Sequence, residues 1–187
     1  MVYFTKILLF KGDIHMQINK DEIVSKRLLL RRLRPDDYEA YCEILMQREV
    51  TRWLGSGKDN TRENIKAVMN KFEKLWEENG YGVWAVITKE NNELIGHCGF
   101  LPIANSSEVE LLYAFSPKCW GHGYATEAAI AAVEHAKDNY EWDSIVALAY
   151  HDNKSSVNVL TKLGFEYIED QEHFGAKLAY FKLVLNK

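Results

Sequence analysis

Residues 108–139, EVELLYAFSPKCWGHGYATEAAIAAVEHAKDN, place the tightest constraint on what this chain can fold into. An apolar run at strand spacing meets a bend at Pro117, then a short glycine-rich loop, then an alanine-rich amphipathic run of helical period. This is a strand-to-helix unit of the kind found in α/β proteins. In the loop Trp120-Gly121-His122-Gly123-Tyr124-Ala125 the glycines let the backbone approach a ligand closely. The start of a helix also leaves several N–H groups without intrahelical acceptors. Backed by the positive end of the helix dipole, such donors form an anion site suited to a pyrophosphate. A purely structural turn is the alternative reading.

The remaining segments supply elements around this unit. Residues 26–33, rich in Leu and ending before Pro35, predict a first strand. Asp36 and Asp37 stand where first-turn acids belong, and Tyr38, Tyr41, Ile44 and Leu45 recur at helical spacing. Asn60-Thr61-Arg62-Glu63 reads as an N-cap with an acid three residues on. Ile65, Val68, Met69, Phe72, Leu75 and Trp76 continue that helix until Gly80 ends it. From Tyr81 the period becomes that of strands, at 81–87, at 94–100 across an Asn91-Asn92 turn, and at 109–115 after Asn105-Ser106-Ser107. Strands at 144–150, 165–169 and 179–185, with a helix at 155–163 stopped by Gly164, complete the order β-α-α-β-β-β-α-β-α-β-β.

Composition narrows the function classes. With 187 residues, 47% hydrophobic and 27% charged, the chain suits one globular domain, read as residues 25–187 behind an extension of residues 1–24. Met16 is an alternative start, and the apolar patch from Ile7 to Phe10 is too short for a signal-peptide core. No apolar run approaches the ~20 residues of a membrane span. Three scattered cysteines, Cys42, Cys98 and Cys119, indicate neither a disulfide framework nor a zinc site, and fit a reducing cytoplasm. The six histidines show no H-x-x-x-H pair, so no metal site is expected. A formal charge of −4 argues against a nucleic-acid partner and is compatible with a cationic acceptor such as an amine or basic peptide.

The loop fails two familiar phosphate patterns: the dinucleotide fingerprint needs Gly where Thr126 stands, and the Gly-Lys-Ser/Thr end of a P-loop is absent. It resembles instead the coenzyme A loop of the GNAT superfamily of N-acetyltransferases, written Q/R-x-x-G-x-G/A. Trp120, Gly123 and Ala125 stand at its defined positions, with Trp120 departing from Gln or Arg. The run Trp-Gly-x-Gly-Tyr-Ala-Thr-Glu-Ala resembles the branch containing the ribosomal-protein N-terminal acetyltransferases, as does NKSSVNVLTKLGF at 153–165. The resemblance implies a single-domain acyl-CoA N-acyltransferase fold, α/β in the α+β sense, with a mixed, mostly antiparallel sheet flanked by helices. It implies direct transfer of acetyl from acetyl-CoA, with no metal, to a primary amine. The acceptor is a protein N-terminus or a small molecule such as an antibiotic or polyamine. A CoA-binding sensor without turnover is the alternative class, and a homodimer is an open assembly state.

Carried over residue by residue, the resemblance assigns the backbone N–H groups of His122, Gly123, Tyr124, Ala125 and Thr126 to the pyrophosphate. The main chain of Tyr113, Ala114 and Phe115 would bond the pantetheine arm as an added strand, one N–H polarising the acetyl carbonyl. Glu110, in Glu-Leu-Leu-Tyr where the branch has Glu-Ile-Gly-Tyr, would be the general base; a surface acid on an alternating strand is the alternative. Asn153 would bond the pantetheine amide, cap a helix, or do both. Ser156 would sit near the sulfur. Leu160 stands where many members carry a Tyr acid, so Ser156, a water or no acid must serve. Cys119 is read as structural, and the acceptor is left to the loops at 53–59, 103–107 and 171–177.

Overall fold

The computed structural model of the protein describes residues 21–103 and 106–185. One eight-stranded sheet runs in the order β1-β2-β3-β4-β5-β6-β8-β7. The strands are β1 (Glu22–Val24), β2 (Leu28–Arg32), β3 (Val83–Thr88), β4 (Leu94–Pro102), β5 (Val109–Phe115), β6 (Ser144–Ala149), β7 (Glu166–His173) and β8 (Ala176–Val184). The helices are α1 (Tyr38–Leu45), α2 (Arg48–Thr51), α3 (Arg62–Asn79), α4 (Tyr124–Asn139) and α5 (Lys154–Lys162). Every strand pair is antiparallel except β5 with β6, which is parallel. The expected mixed, mostly antiparallel sheet with flanking helices is therefore observed.

Two short elements, β1 and α2, add to the expected order. β1 lies inside residues 1–24, the segment read as an extension, and pairs with β2. Residues 1–20 and Asn105, part of an expected turn, lie outside the described residues. At the start of α3 the cap is Thr61, whose side chain accepts from the Asn64 N–H at 3.2 Å. Asn60, one residue earlier, instead donates to the Leu45 carbonyl at 2.9 Å. Gly80 ends α3 at φ 69°, a left-handed conformation that costs glycine little.

β3 is buried at all six positions, as expected of a central strand covered on both faces. Ala114 packs with Tyr41, Ile44 and Leu45 of α1 and Ile65 of α3, whereas Phe115 packs with the α4 cluster. Adjacent strand residues point to opposite faces, so α1 and α4 sandwich β5. α4 presents Ala128, Ala129, Ala132 and Ala136 to the sheet, all fully buried. Those small side chains let its axis lie close to β4 and β5.

The Pro35 turn is held by Asp37 rather than by a helical first turn alone. Its carboxylate takes a bidentate pair from Arg31, at 2.7 and 2.8 Å, and the Arg34 N–H at 2.7 Å. Burial works against the charge on Asp37, but the Arg31 and Arg34 bonds outweigh it and its pKa is lowered. We expect Asp37→Asn to cost about 3 kcal/mol in urea unfolding at pH 7. A carboxyl of depressed folded pKa contributes stability above the ordinary carboxylate range and loses it as pH falls through the folded value. The gap between the wild type and the variant should therefore shrink at pH 3 or below.

Candidate active site

β5 pairs with β4 along its whole length but meets β6 only at Glu110 and Val146. Beyond that point the two strands part. A cavity of about 980 Å³ occupies the fork, lined by β5, the glycine loop, the starts of α4 and α5, and the 50–72 segment. Across the gap, Tyr113 Oη lies 2.9 Å from Ser156 Oγ and ties β5 to α5.

The backbone phase of β5 decides which groups face the fork. Ser116 N–H bonds the Ile95 carbonyl at one end and Ile103 N–H bonds the Glu108 carbonyl at the other. In an antiparallel ladder the bonded positions alternate, so Glu110, Leu112 and Ala114 turn their main chain to β4, and Leu111, Tyr113 and Phe115 turn theirs to the fork. Of the three residues expected to hold the pantetheine arm, Ala114 is thus the exception. Its N–H and C=O belong to the β4 ladder opposite His97, and its side chain is buried under α1. The Phe115 carbonyl accepts from Trp120 Nε1 at 2.9 Å, so the Trp at the loop start anchors the loop to β5.

Gly121 and Gly123 have φ of 78° and 76°. The first helical bond of α4 runs from Glu127 N–H to the Gly123 carbonyl, and no side chain caps Gly123. The N–H groups of Tyr124, Ala125 and Thr126 therefore have no intrahelical acceptor, and these three residues line the cavity with Gly123. His122 stands apart from them: its ring Nδ1 donates to the Trp120 carbonyl at 2.9 Å, and its own carbonyl accepts from Arg27.

Arg27 and Glu127 are the support of the loop that sequence reading missed. Glu127 accepts from the Arg27 main chain at 2.7 Å, from Arg27 Nε at 2.6 Å and from Ser25 Oγ at 2.8 Å. The Arg27 guanidinium also lies 4.3 Å from the Tyr124 ring centroid. Glu127 stood within the motif, but its partner is 100 residues away and carried no local signal.

Glu110 lines the cavity at the point where the strands part. Burial pushes its carboxyl up to about 7, with Lys71 nearby pulling the other way. Asn153 caps α5, its Oδ1 accepting from the Ser156 N–H at 3.1 Å, and it too faces the cavity. Leu160 is buried, yet a phenol reaches Ser156 from another element, Tyr113, and burial raises its pKa so that it stays protonated. Cys119 lines the cavity as well, and burial raises its thiol rather than activating it.

His97 is a further residue that the sequence did not single out. It is 3% exposed, and burial lowers its pKa to about 4, so the ring is neutral. Tyr41 Oη, also buried, lies 2.8 Å from Nδ1. If the phenol donates, both groups are satisfied, and the ring proton sits on Nε2. No hydrogen bond to Nε2 is seen among the described residues, and His97 is one of the residues lining the cavity. In that tautomer the site holds a neutral donor beside β5. Among the described residues no group of three or more His, Cys, Asp or Glu is placed to hold a metal ion, and no helix is long and apolar enough to cross a membrane.

Comparison with known proteins agrees with this architecture. Residues 27–166 match the family model described as the acetyltransferase (GNAT) domain. YnaD, an uncharacterized N-acetyltransferase of Bacillus subtilis (strain 168), is 30% identical over 142 residues, 76% of this chain and 81% of that one. The crystal structure of a GNAT-family acetyltransferase from Bacillus anthracis aligns with a TM-score of 0.75 at 25% identity, covering 87% of this chain and 98% of the other. RimL, a ribosomal L7/L12 alpha-N-protein acetyltransferase in complex with coenzyme A, shares the fold at a TM-score of 0.73 and 17% identity, over 88% and 98% of the two chains. With the family model running from the residue before β2 to the first residue of β7, the chain belongs to the GNAT N-acetyltransferase family.

Proposed function

We propose that the protein transfers acetyl from acetyl-CoA directly to a primary amine, with a protein N-terminus as the favoured acceptor class. The observation that carries this is the fork: one strand offers a cavity-facing carboxyl raised by burial and, past the divergence, an open main-chain edge leading to an uncapped helix start. The branch resemblance and the likeness to RimL support the acceptor class.

The residues fit the cosubstrate in three places. The N–H groups of Tyr124, Ala125 and Thr126 suit a pyrophosphate, the fork-facing main chain of Tyr113 and Phe115 suits the amides of an extended arm, and Asn153 offers its Nδ2. Acetyl-CoA supplies an activated thioester carbonyl. The Phe115 or Tyr113 N–H polarises that carbonyl, the amine forms the C–N bond, and the C–S bond breaks. Glu110 takes the ammonium proton, directly or through water, and a pKa near 7 is well matched to that transfer. The sulfur leaves as a thiolate and takes the second proton that the nitrogen loses, a transfer we assign to the Tyr113–Ser156 hydroxyl pair, whose oxygens lie 2.9 Å apart.

Thermal denaturation with added ligands tests the cofactor, and thiol release tests turnover. CoA and acetyl-CoA at about 100 times Kd should stabilise the fold by about 2.7 kcal/mol, while NAD and ATP should not. Acetyl-CoA mixed with a panel of N-terminal peptides and small amines should then release thiol. Stabilisation by NAD but not CoA would remove the cofactor assignment. Tight CoA binding with no thiol release from any amine would leave a sensor domain.

A further inference from the structure

The charges around the cavity are unevenly distributed. Its wall opposite the glycine loop carries Arg52, Lys58 and Lys71, none of which has a carboxylate within ion-pair distance among the described residues. The acids lining the cavity are Glu110, Asp59 and Asp152; Asp152 stands two residues before Lys154 on the approach to α5, and Asp59 already lies 3.2 Å from Arg48. Glu110, raised to about 7 by burial, is half charged near pH 7 and so offsets at most one of these three cations. A chain with a formal charge of −4 thus presents a locally cationic wall beside its candidate base.

This wall is held in place. Tyr150 Oη donates to the Gly55 carbonyl at 2.8 Å, and the Tyr150 and Trp53 rings lie 6.1 Å apart, which fastens the loop after α2 to the end of β6. The Arg52 guanidinium rests 4.4 Å from the Trp53 ring centroid. The cavity has other lysines, Lys154 and Lys162, both on α5, and Lys162 shares a groove with Gly123 and Thr126 of the glycine loop. Phosphates at the start of α4 have those cations and the helix start itself. The charge on the far wall is left for the acceptor.

Resting on the acetyltransferase reading above, we infer that the acceptor is an amine with a carboxylate or phosphate close to its reactive nitrogen. A polyamine or a lysine-rich N-terminus would bring a second positive charge against Arg52, Lys58 and Lys71, and like-charge juxtaposition rejects such partners. An acidic N-terminal peptide and a small amino acid or amino phosphate share the required chemistry. The overall acidity of the chain, compatible with a basic acceptor at long range, is reversed at the place where the acceptor must dock.

The experiment is a competition of acceptors measured by thiol release. Peptides with Asp or Glu at positions two to four, matched neutral peptides and matched Lys peptides are compared, alongside small amines with and without a carboxylate or phosphate. Acidic peptides or anionic small amines should exceed their neutral counterparts in kcat/KM on the order of tenfold, and the Lys series by more, with the advantage shrinking as salt rises. Whichever arm shows the larger preference identifies the source of the anion. Arg52→Glu with Lys58→Glu, both at solvent-accessible positions, should collapse or invert that ratio, with circular dichroism and Tm confirming the fold. A rise in the KM for acetyl-CoA instead, with the ratio intact, would assign these cations to the CoA phosphates and overturn the inference. Transfer indifferent to charge overturns it alone, whereas no transfer to any amine removes the acetyltransferase reading as well.

Discussion

Replacing Glu110 by Gln should lower kcat on the order of 10²-fold or more at saturating acceptor, with CoA binding hardly changed. Gln keeps the size and a hydrogen-bonding end but cannot take a proton. Because burial holds the carboxyl near 7, wild-type kcat/KM should rise with pH through about 7 and then level, and the Gln variant should lose that inflection. Stability supplies a second, independent readout. Between the ordinary carboxylate pKa and about 7 the folded chain holds a proton that the unfolded chain has released, so this group makes stability fall as pH rises. Glu110→Gln should therefore gain stability relative to wild type between pH 4 and pH 8, by on the order of 3 kcal/mol at most. An unchanged kcat with a raised KM would move Glu110 from proton transfer to holding the acceptor's ammonium.

Gly123→Val should abolish most of the thermal stabilisation that CoA confers while leaving a folded protein. At φ 76° a β-branched residue is strained by roughly 1–2 kcal/mol, which a domain of this size tolerates. The nearest atom to a Cβ at this position is the tip of Arg27 at 3.6 Å, an ordinary contact, so the fold has room for it. The ligand does not: Gly123 caps α4 and lines the cavity, and a branched side chain there stands over the N–H groups that would receive the phosphates. Binding should weaken by at least 10²-fold, read as the CoA concentration needed for half of the wild-type Tm shift. Wild-type CoA affinity in the Val variant would move the anion site away from the helix start.

Much of the site was legible because it is local. A glycine that must take a left-handed φ at 80, 123 or 164, an Asn that caps its own helix at 153, and a strand, loop and helix in immediate succession depend on bonds within a few residues. The sequence pattern also carried the residues of the glycine loop and the strand bearing Glu110. Where local signals competed the reading slipped slightly, as at Asn60 and Thr61, two adjacent capping residues of which tertiary contact with Leu45 claimed the first.

By itself, then, the sequence determined the order of every element but the short β1 and α2, the glycine loop at the start of α4 and the family. The tertiary structure alone decided what those residues face and what charge they carry. The phase of the β4–β5 ladder turned Ala114 away from the fork, and the parting of β5 from β6 created the cavity. Chain segments 100 residues apart made the Arg27–Glu127 support, and burial beside Tyr41 made the His97 ring neutral. Register, burial and desolvation arise from pairing distant segments, and neither a backbone phase nor a buried carboxyl's pKa exists until those segments have met.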